Sequence, residues 1–219
     1  MSIDPRDQKR RYGQGVGLLL VFLCSLPLTA VANRVVGAII ARHDPALAAL
    51  SSTAIPSCLV IALLFACFGN ASLLQLPAKP WNSHTEVLRL SIVWMAAWLA
   101  GALALAVAQG HWPTYVHAWP ARIGFLIFGP IGEELLFRGI VQERARQVWH
   151  RSGTPAILIS TAAFSLHHLF IHTAPAGLLF AQLLFTLPMG IVFATLRERT
   201  GSLWPGVALH ILTNLPFAF

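Results

Sequence analysis

Val87 to Ala108 reads VLRLSIVWMAAWLAGALALAVA, an apolar run carrying a single charge, Arg89. A helix needs ~20 predominantly apolar residues to cross a hydrocarbon core, so this segment is long enough to span a bilayer. Comparable runs lie on both sides of it. Toward the N-terminus they are Gly15 to Ala41, interrupted only by Asn33 and Arg34, and Ala46 to Phe68; toward the C-terminus they are Ile123 to about Val141, Pro155 to Ile171, Ala176 to Leu196 and Leu203 to Phe219. None alternates with period two. Backbone groups in lipid must be paired within their own segment unless the chain closes a barrel, so continuous apolar runs favour helices. The expected fold is all-α: a polytopic transmembrane helical bundle of about seven spans, with six and eight as the neighbouring counts.

Composition agrees. Of 219 residues, 56% are hydrophobic and 11% charged, too little polar surface to cover a water-soluble globule of this size. The formal charge of +7 does not indicate nucleic acid, because the basic residues are scattered between apolar runs rather than gathered on an aromatic-interleaved surface. Their distribution follows the positive-inside rule instead. Arg6, Lys9, Arg10 and Arg11 precede the first run, Arg144, Arg146 and Arg151 follow the fourth, and Arg197 and Arg199 follow the sixth. These three clusters are expected in the cytoplasm, with the N-terminus; the C-terminus is expected outside. Basic residues before Gly15 to Ala32 resemble a signal peptide, but the run continues to Ala41 without a convincing cleavage site, so it reads as a retained helix. Cys24, Cys58 and Cys67 all fall within runs, odd in number and without framework spacing, which argues for packing rather than a disulfide. Thirteen arginines against two lysines in an alanine-rich chain is a bias common in GC-rich bacterial genomes, and by that association the expected location is a bacterial inner membrane.

The two halves differ. Residues 1–119 read as a cytoplasmic tail and three accessory spans, with Arg34 near enough to a span end to snorkel. The stretch Gly69 to Ser83 reads as a cytoplasmic loop, and Trp112 to Trp119 as an interfacial belt on the opposite side. No internal repeat is visible. Residues 120–219 read as a catalytic transmembrane domain, because their spans carry Glu133, Glu134, Arg138, His167, His168, His172, His210 and Asn214. Ionisable residues inside a membrane are costly and by default mark function.

Three constellations stand out. In Gly132-Glu133-Glu134-Leu135-Leu136-Phe137-Arg138-Gly139, helical geometry places Glu134 and Arg138 one turn apart on one face, in the favourable order for an i,i+4 ion pair. Glu133 points about 100° away. The neighbouring carboxylates should therefore have different work: Glu134 supports, and Glu133 is free to handle protons. Phe164-Ser165-Leu166-His167-His168 follows in the next span. If the chain turns back between Arg146 and Gly153, Glu133 and His168 reach comparable depth, although adjacent His167 and His168 cannot both face one partner. His172 reads as interfacial. His210 and Asn214, again i,i+4, carry donors able to stabilise an oxyanion.

These residues resemble the CAAX prenyl protease and bacteriocin-processing family, also called the CPBP or Abi family of intramembrane proteases. Its ordered motifs EExxxR, FxxxH and HxxxN appear here as Glu133-Glu134 with Arg138, Phe164 with His168, and His210 with Asn214. The resemblance covers about Ala121 to Pro216, and His167 beside the motif histidine departs from it. It implies an intramembrane endopeptidase in which Glu133 is the general base, His168 orients or shares the activated water, His210 and Asn214 stabilise the oxyanion, and Glu134 and Arg138 support them; Phe164 and His167 are expected as further supporting residues.

Glu133, His168 and His210 also match the His₂Glu ligand set of catalytic zinc. Against zinc, both histidines would be spent as ligands, and no HExxH pattern fixes two of them on one helical face. A metal-free, glutamate-type mechanism is the favoured expectation, with zinc the alternative. The expected partners are membrane lipids and a protein or peptide substrate with a hydrophobic or membrane-proximal segment, with no nucleic acid. Other classes that use buried Glu and His are a catalytically silent membrane-binding or bacteriocin-immunity protein, in which the polar residues only tie helices together, and a proton-coupled transporter, which the absence of repeat symmetry disfavours.

Overall fold

A computed structural model of the chain describes residues 84–112, 119–149, 153–171 and 176–219, together with Val35 and Ile39. The remainder of the first two apolar runs, with Arg34 and the three cysteines, lies outside the described residues, as do His172 and the whole 69–83 loop. The described residues are helical throughout, without a strand. The expected all-α class therefore holds for them.

The opening run forms α1, His84–Gln109, of which Thr85–Gln109 is long and apolar enough to cross a membrane by length and composition. Gly110 ends it in the left-handed region, at φ 74°. Next comes α2, helical over residues 119–148 but not uniform: α-helical turns at Trp119–Ile123, Gly129–Glu134 and Gln142–Val148 enclose π-helical turns at Gly124–Phe128 and Leu135–Val141. The sequence explains the first of these. The Gly129 N–H bonds Gly124 O, five residues back. The next donor in that register would be Pro130, which has no N–H, and so Phe125 O is left to a side chain, the Asn214 amide at 3.0 Å. In the second, the Gln142 N–H reaches Phe137 O, which also accepts from Ser160 Oγ at 2.9 Å. Each π turn thus offers a carbonyl to a neighbouring helix.

The chain then runs through α3, Gly153–Ile171, and α4, Ala176–Thr200. Lipid tails are as apolar as leucine, so small residues and polar links must draw such helices together. Gly190 does so here: a Cβ on it would lie 2.9 Å from Thr161 Cγ2 and 3.3 Å from Thr161 Cα, so the α3 and α4 backbones approach as closely as glycine permits. Gly201, at φ 68°, closes α4. Phe137, Phe164, Phe193, Leu196 and Leu209 form the shared core, joined by Val87 and Trp94 of α1.

The last apolar run does not form a full-length span. It folds as α5, Trp204–Asn214, followed by a 3₁₀ turn Leu215–Phe217. Eleven residues extend about 16 Å at 1.5 Å each, roughly half of a ~30 Å core. Pro216, with no N–H for the Leu212 carbonyl, explains the stop. A helix ending inside the protein leaves carbonyls without intrahelical donors, and the tryptophans of α1 serve this end. Trp98 Nε1 donates to Thr213 O at 2.8 Å, Trp94 Nε1 donates to Thr213 Oγ1 at 3.0 Å, and Trp112 Nε1, just past α1, donates to Pro216 O. Trp98 also stacks on Trp94 and meets Phe185 and Phe217 edge-on.

At the other end of the bundle, Arg199 pairs with Glu86 at 3.2 Å, Arg146 with Glu198 at 3.5 Å and Arg197 with Glu143 at 4.0 Å. The start of α1 and the ends of α2 and α4 therefore share one charged end, as the basic clusters require. Replacing Trp98 by Phe keeps an aromatic ring and removes its donor. The expected cost is about 1 to 2 kcal/mol, seen as a lower thermal midpoint in detergent; an unchanged midpoint would show that the carbonyl needs no indole.

Candidate active site

Glu134 anchors the site. Its Oε1 forms an ion pair with Arg138 Nη1 at 3.1 Å, one turn along α2 and in the expected i,i+4 relation, and accepts a hydrogen bond from His210 Nδ1 at 3.2 Å, brought in by α5. The two ion-pair side chains are essentially sealed, at 0% and 1% exposure. The guanidinium is held from three further sides. Arg138 Nη2 donates to Gly190 O at 3.3 Å, and its Cζ lies 4.4 Å from the Phe164 ring centroid and 5.5 Å from that of Phe193. An arginine beneath aromatic faces gains cation–π attraction that a desolvated site strengthens.

Glu133, the preceding residue, points elsewhere, and its side chain is 23% exposed, more than those of Glu134, His168 and His210. Its Oε2 stands 3.9 Å from His168 Nε2 and 3.8 Å from His210 Nε2. Both separations exceed a direct hydrogen bond and suit one bridging water. Thus helices α2, α3 and α5 bring acid and both imidazoles to one point. Of the adjacent histidines, His168 faces Glu133; His167 lies beside Phe137, 5.4 Å between ring centroids. Phe164, one turn before His168, packs at 4.5 Å against its ring and at 6.0 Å against that of His210.

The outer nitrogens of the imidazoles decide which nitrogen faces inward with a lone pair. His168 Nδ1 is 2.9 Å from Phe164 O, a carbonyl that can only accept, so Nδ1 carries the hydrogen. His210 Nδ1 likewise donates to the Glu134 carboxylate. When neutral, both rings therefore turn a lone pair on Nε2 toward Glu133 and can take a proton from water; His210 can donate from Nε2 only as imidazolium. Asn214 lies one turn after His210 and commits one of its two amide hydrogens to Phe125 O.

The same lone pairs have the chemistry of zinc ligands, and their outer N–H bonds are those of a metal second shell. The spacing is different. Zinc–ligand bonds of about 2.0 to 2.2 Å at tetrahedral angles place ligand atoms about 3.4 Å apart, and here the Glu133–imidazole separations are 3.8 and 3.9 Å. No group of three or more potential ligands among the described residues has metal-holding geometry.

Three contributors were missed from sequence: Gly190 O, which accepts from Arg138; Phe193, whose ring lies 5.0 Å from His210; and Gly206, against which Glu134 Oε2 rests. None belongs to a charged motif. Gly190 and Gly206 each sit within an apolar run where glycine has no helical advantage, the one available hint. Removing one member of a buried ion pair leaves an uncompensated charge, so Arg138→Ala is expected to cost about 3 to 5 kcal/mol. Combining Arg138→Met with Glu134→Gln should recover much of that loss, measured by thermal unfolding in micelles.

Residues 115–216 match the family model described as type II CAAX prenyl endopeptidase Rce1-like. Comparison with curated proteins and with solved structures gives no match. The matched segment begins before α2 and ends after Asn214, so it contains all three motifs and the whole cluster around Glu133. Residues 115–216 carry an Rce1-like type II CAAX prenyl endopeptidase domain of the CPBP family, a family of polytopic membrane proteases.

Proposed function

We propose that this protein is a metal-free, glutamate-type intramembrane endopeptidase that cleaves a peptide bond in the membrane-proximal or C-terminal part of its substrate. The observation that carries this reading is the convergence of Glu133 Oε2 with two inward-facing imidazole nitrogens at water-bridging distance. The cluster sets two carboxylates against one guanidinium. One mobile proton shared among Glu133, His168 and His210 brings it to neutrality, and a buried site favours that balance.

The chemistry follows from the positions. A water between Glu133 Oε2 and His168 Nε2 gives a proton to Glu133 as its oxygen attacks the scissile carbonyl. The oxyanion receives hydrogen bonds from His210 Nε2–H when the mobile proton rests on that ring, whose Nδ1 donates to the Glu134 carboxylate, and from the second N–H of Asn214. Glu133 then returns the proton to the departing amine as the C–N bond breaks. Glu134 and Arg138 hold this arrangement still. Phe164 forms its apolar floor.

The family name points to prenylated CAAX tails; bacteriocin leaders and bacterial C-terminal sorting tails are the other substrates that the likeness allows. The charged end formed by Glu86, Arg146 and Arg199 is read as cytoplasmic, with the N-terminus on the same side, in a multi-pass protein of a bacterial inner membrane.

Glu133→Gln and His168→Ala are each expected to lower cleavage by about 10² to 10⁴ without changing thermal unfolding. Comparing neo-termini in membrane proteomes of wild-type and Glu133→Gln cells makes the test independent of a guessed substrate. Identical neo-termini, with the biological activity intact, would favour a silent binding or immunity protein. Activity should also survive stringent chelation with substoichiometric zinc by elemental analysis; reversible loss on metal removal would overturn the metal-free assignment.

A further inference from the structure

Glu134 Oε1 is shared between Arg138 and His210, and this leaves Oε2 to be accommodated. That oxygen is buried and makes no hydrogen bond to any described residue. It lies over the first turn of α5, where a Cβ built on Gly206 would come within 2.9 Å of it and within 3.5 Å of Glu134 Cδ. Heavy atoms do not sit that close without displacement. A carboxylate at the end of a free side chain would swing aside at little cost, but this one is held by an ion pair at 3.1 Å and an imidazole at 3.2 Å. Any retreat would be transmitted to those two contacts.

Resting on the protease reading, we infer that Gly206 is a positioning residue for His210. By lacking a side chain it lets the Glu134 carboxylate sit at the N-terminal turn of α5, where negative charge is favoured, while Oε1 reaches Arg138 and His210 together. His210 lies four residues further along the same helix. Its Nδ1 is therefore bonded to a carboxylate that its own helix seats, and the register of α5 fixes both ends of that bond. The absent methyl at position 206 keeps His210 Nε2 directed at Glu133, 3.8 Å away.

The test is a double-mutant cycle with Glu134→Asp, which withdraws the carboxylate by one methylene and vacates the space a Cβ would enter. Glu133-dependent neo-termini are quantified per folded enzyme in cells carrying wild type, Gly206→Ala, Glu134→Asp and the pair, and thermal unfolding of the four purified proteins is measured in parallel. Gly206→Ala should reduce cleavage at least about tenfold, equivalent to 1.4 kcal/mol, in the wild-type background, and less than about twofold, or 0.4 kcal/mol, in the Glu134→Asp background. Restored folding of Gly206→Ala by Glu134→Asp, together with restored cleavage, would support the same conclusion. An equal loss in both backgrounds, no loss in either, or coupling seen in unfolding but not in cleavage would overturn it and leave Gly206 a packing glycine. Neo-termini indifferent to Glu133→Gln would instead sink the protease reading, and this inference with it.

Discussion

The fully enclosed contact between Arg138 and Glu134 sets the terms for everything around it. Neither charge could be buried alone: the guanidinium needs the carboxylate, and the carboxylate needs every donor it can recruit. Arg138 ties α2 to α4 through Gly190 O and lies against the rings of Phe164 and Phe193. Glu134 ties α2 to α5 through His210. Four helices are thus oriented by one ion pair, in surroundings where apolar contact by itself distinguishes poorly between helix neighbours and lipid.

From that anchor the reactive groups inherit their geometry. Adjacent carboxylates on a helix face different directions, so fixing Glu134 inward leaves Glu133 beside it, its side chain less buried and its Oε2 turned to the two imidazoles. The imidazoles are held by their outer nitrogens, one on a backbone carbonyl and one on Glu134. In the proposed mechanism this division sets a fixed charge pair beside the groups that would move the proton.

Much of this was legible in the sequence. The i,i+4 spacing of Glu134 and Arg138 states their contact, and the matched distances of Glu133 and His168 from the turn near Trp149 state their common depth. The choice between His167 and His168 was not legible, because it depends on how α3 is rotated about its axis. The length of the last helix could have been read from Pro216, but an apolar run outweighs a proline when only composition is summed. The services of Gly206, Gly190 and Trp98 were invisible for another reason. Each consists of an approach between backbone or carboxylate atoms and a distant element, and no local periodicity encodes such a meeting.

The indoles that finish the last helix carry a consequence for where this machine begins. Likeness to the family starts at residue 115, yet the hydrogen-bond donors that complete the helix of His210 come from Trp94, Trp98 and Trp112, upstream of that point. Without Trp98 and Trp112, the Thr213 and Pro216 carbonyls at the end of α5 would lose their indole donors. The smallest piece that can fold around a working centre is therefore longer than the piece that similarity recognises, and its boundary belongs before α1.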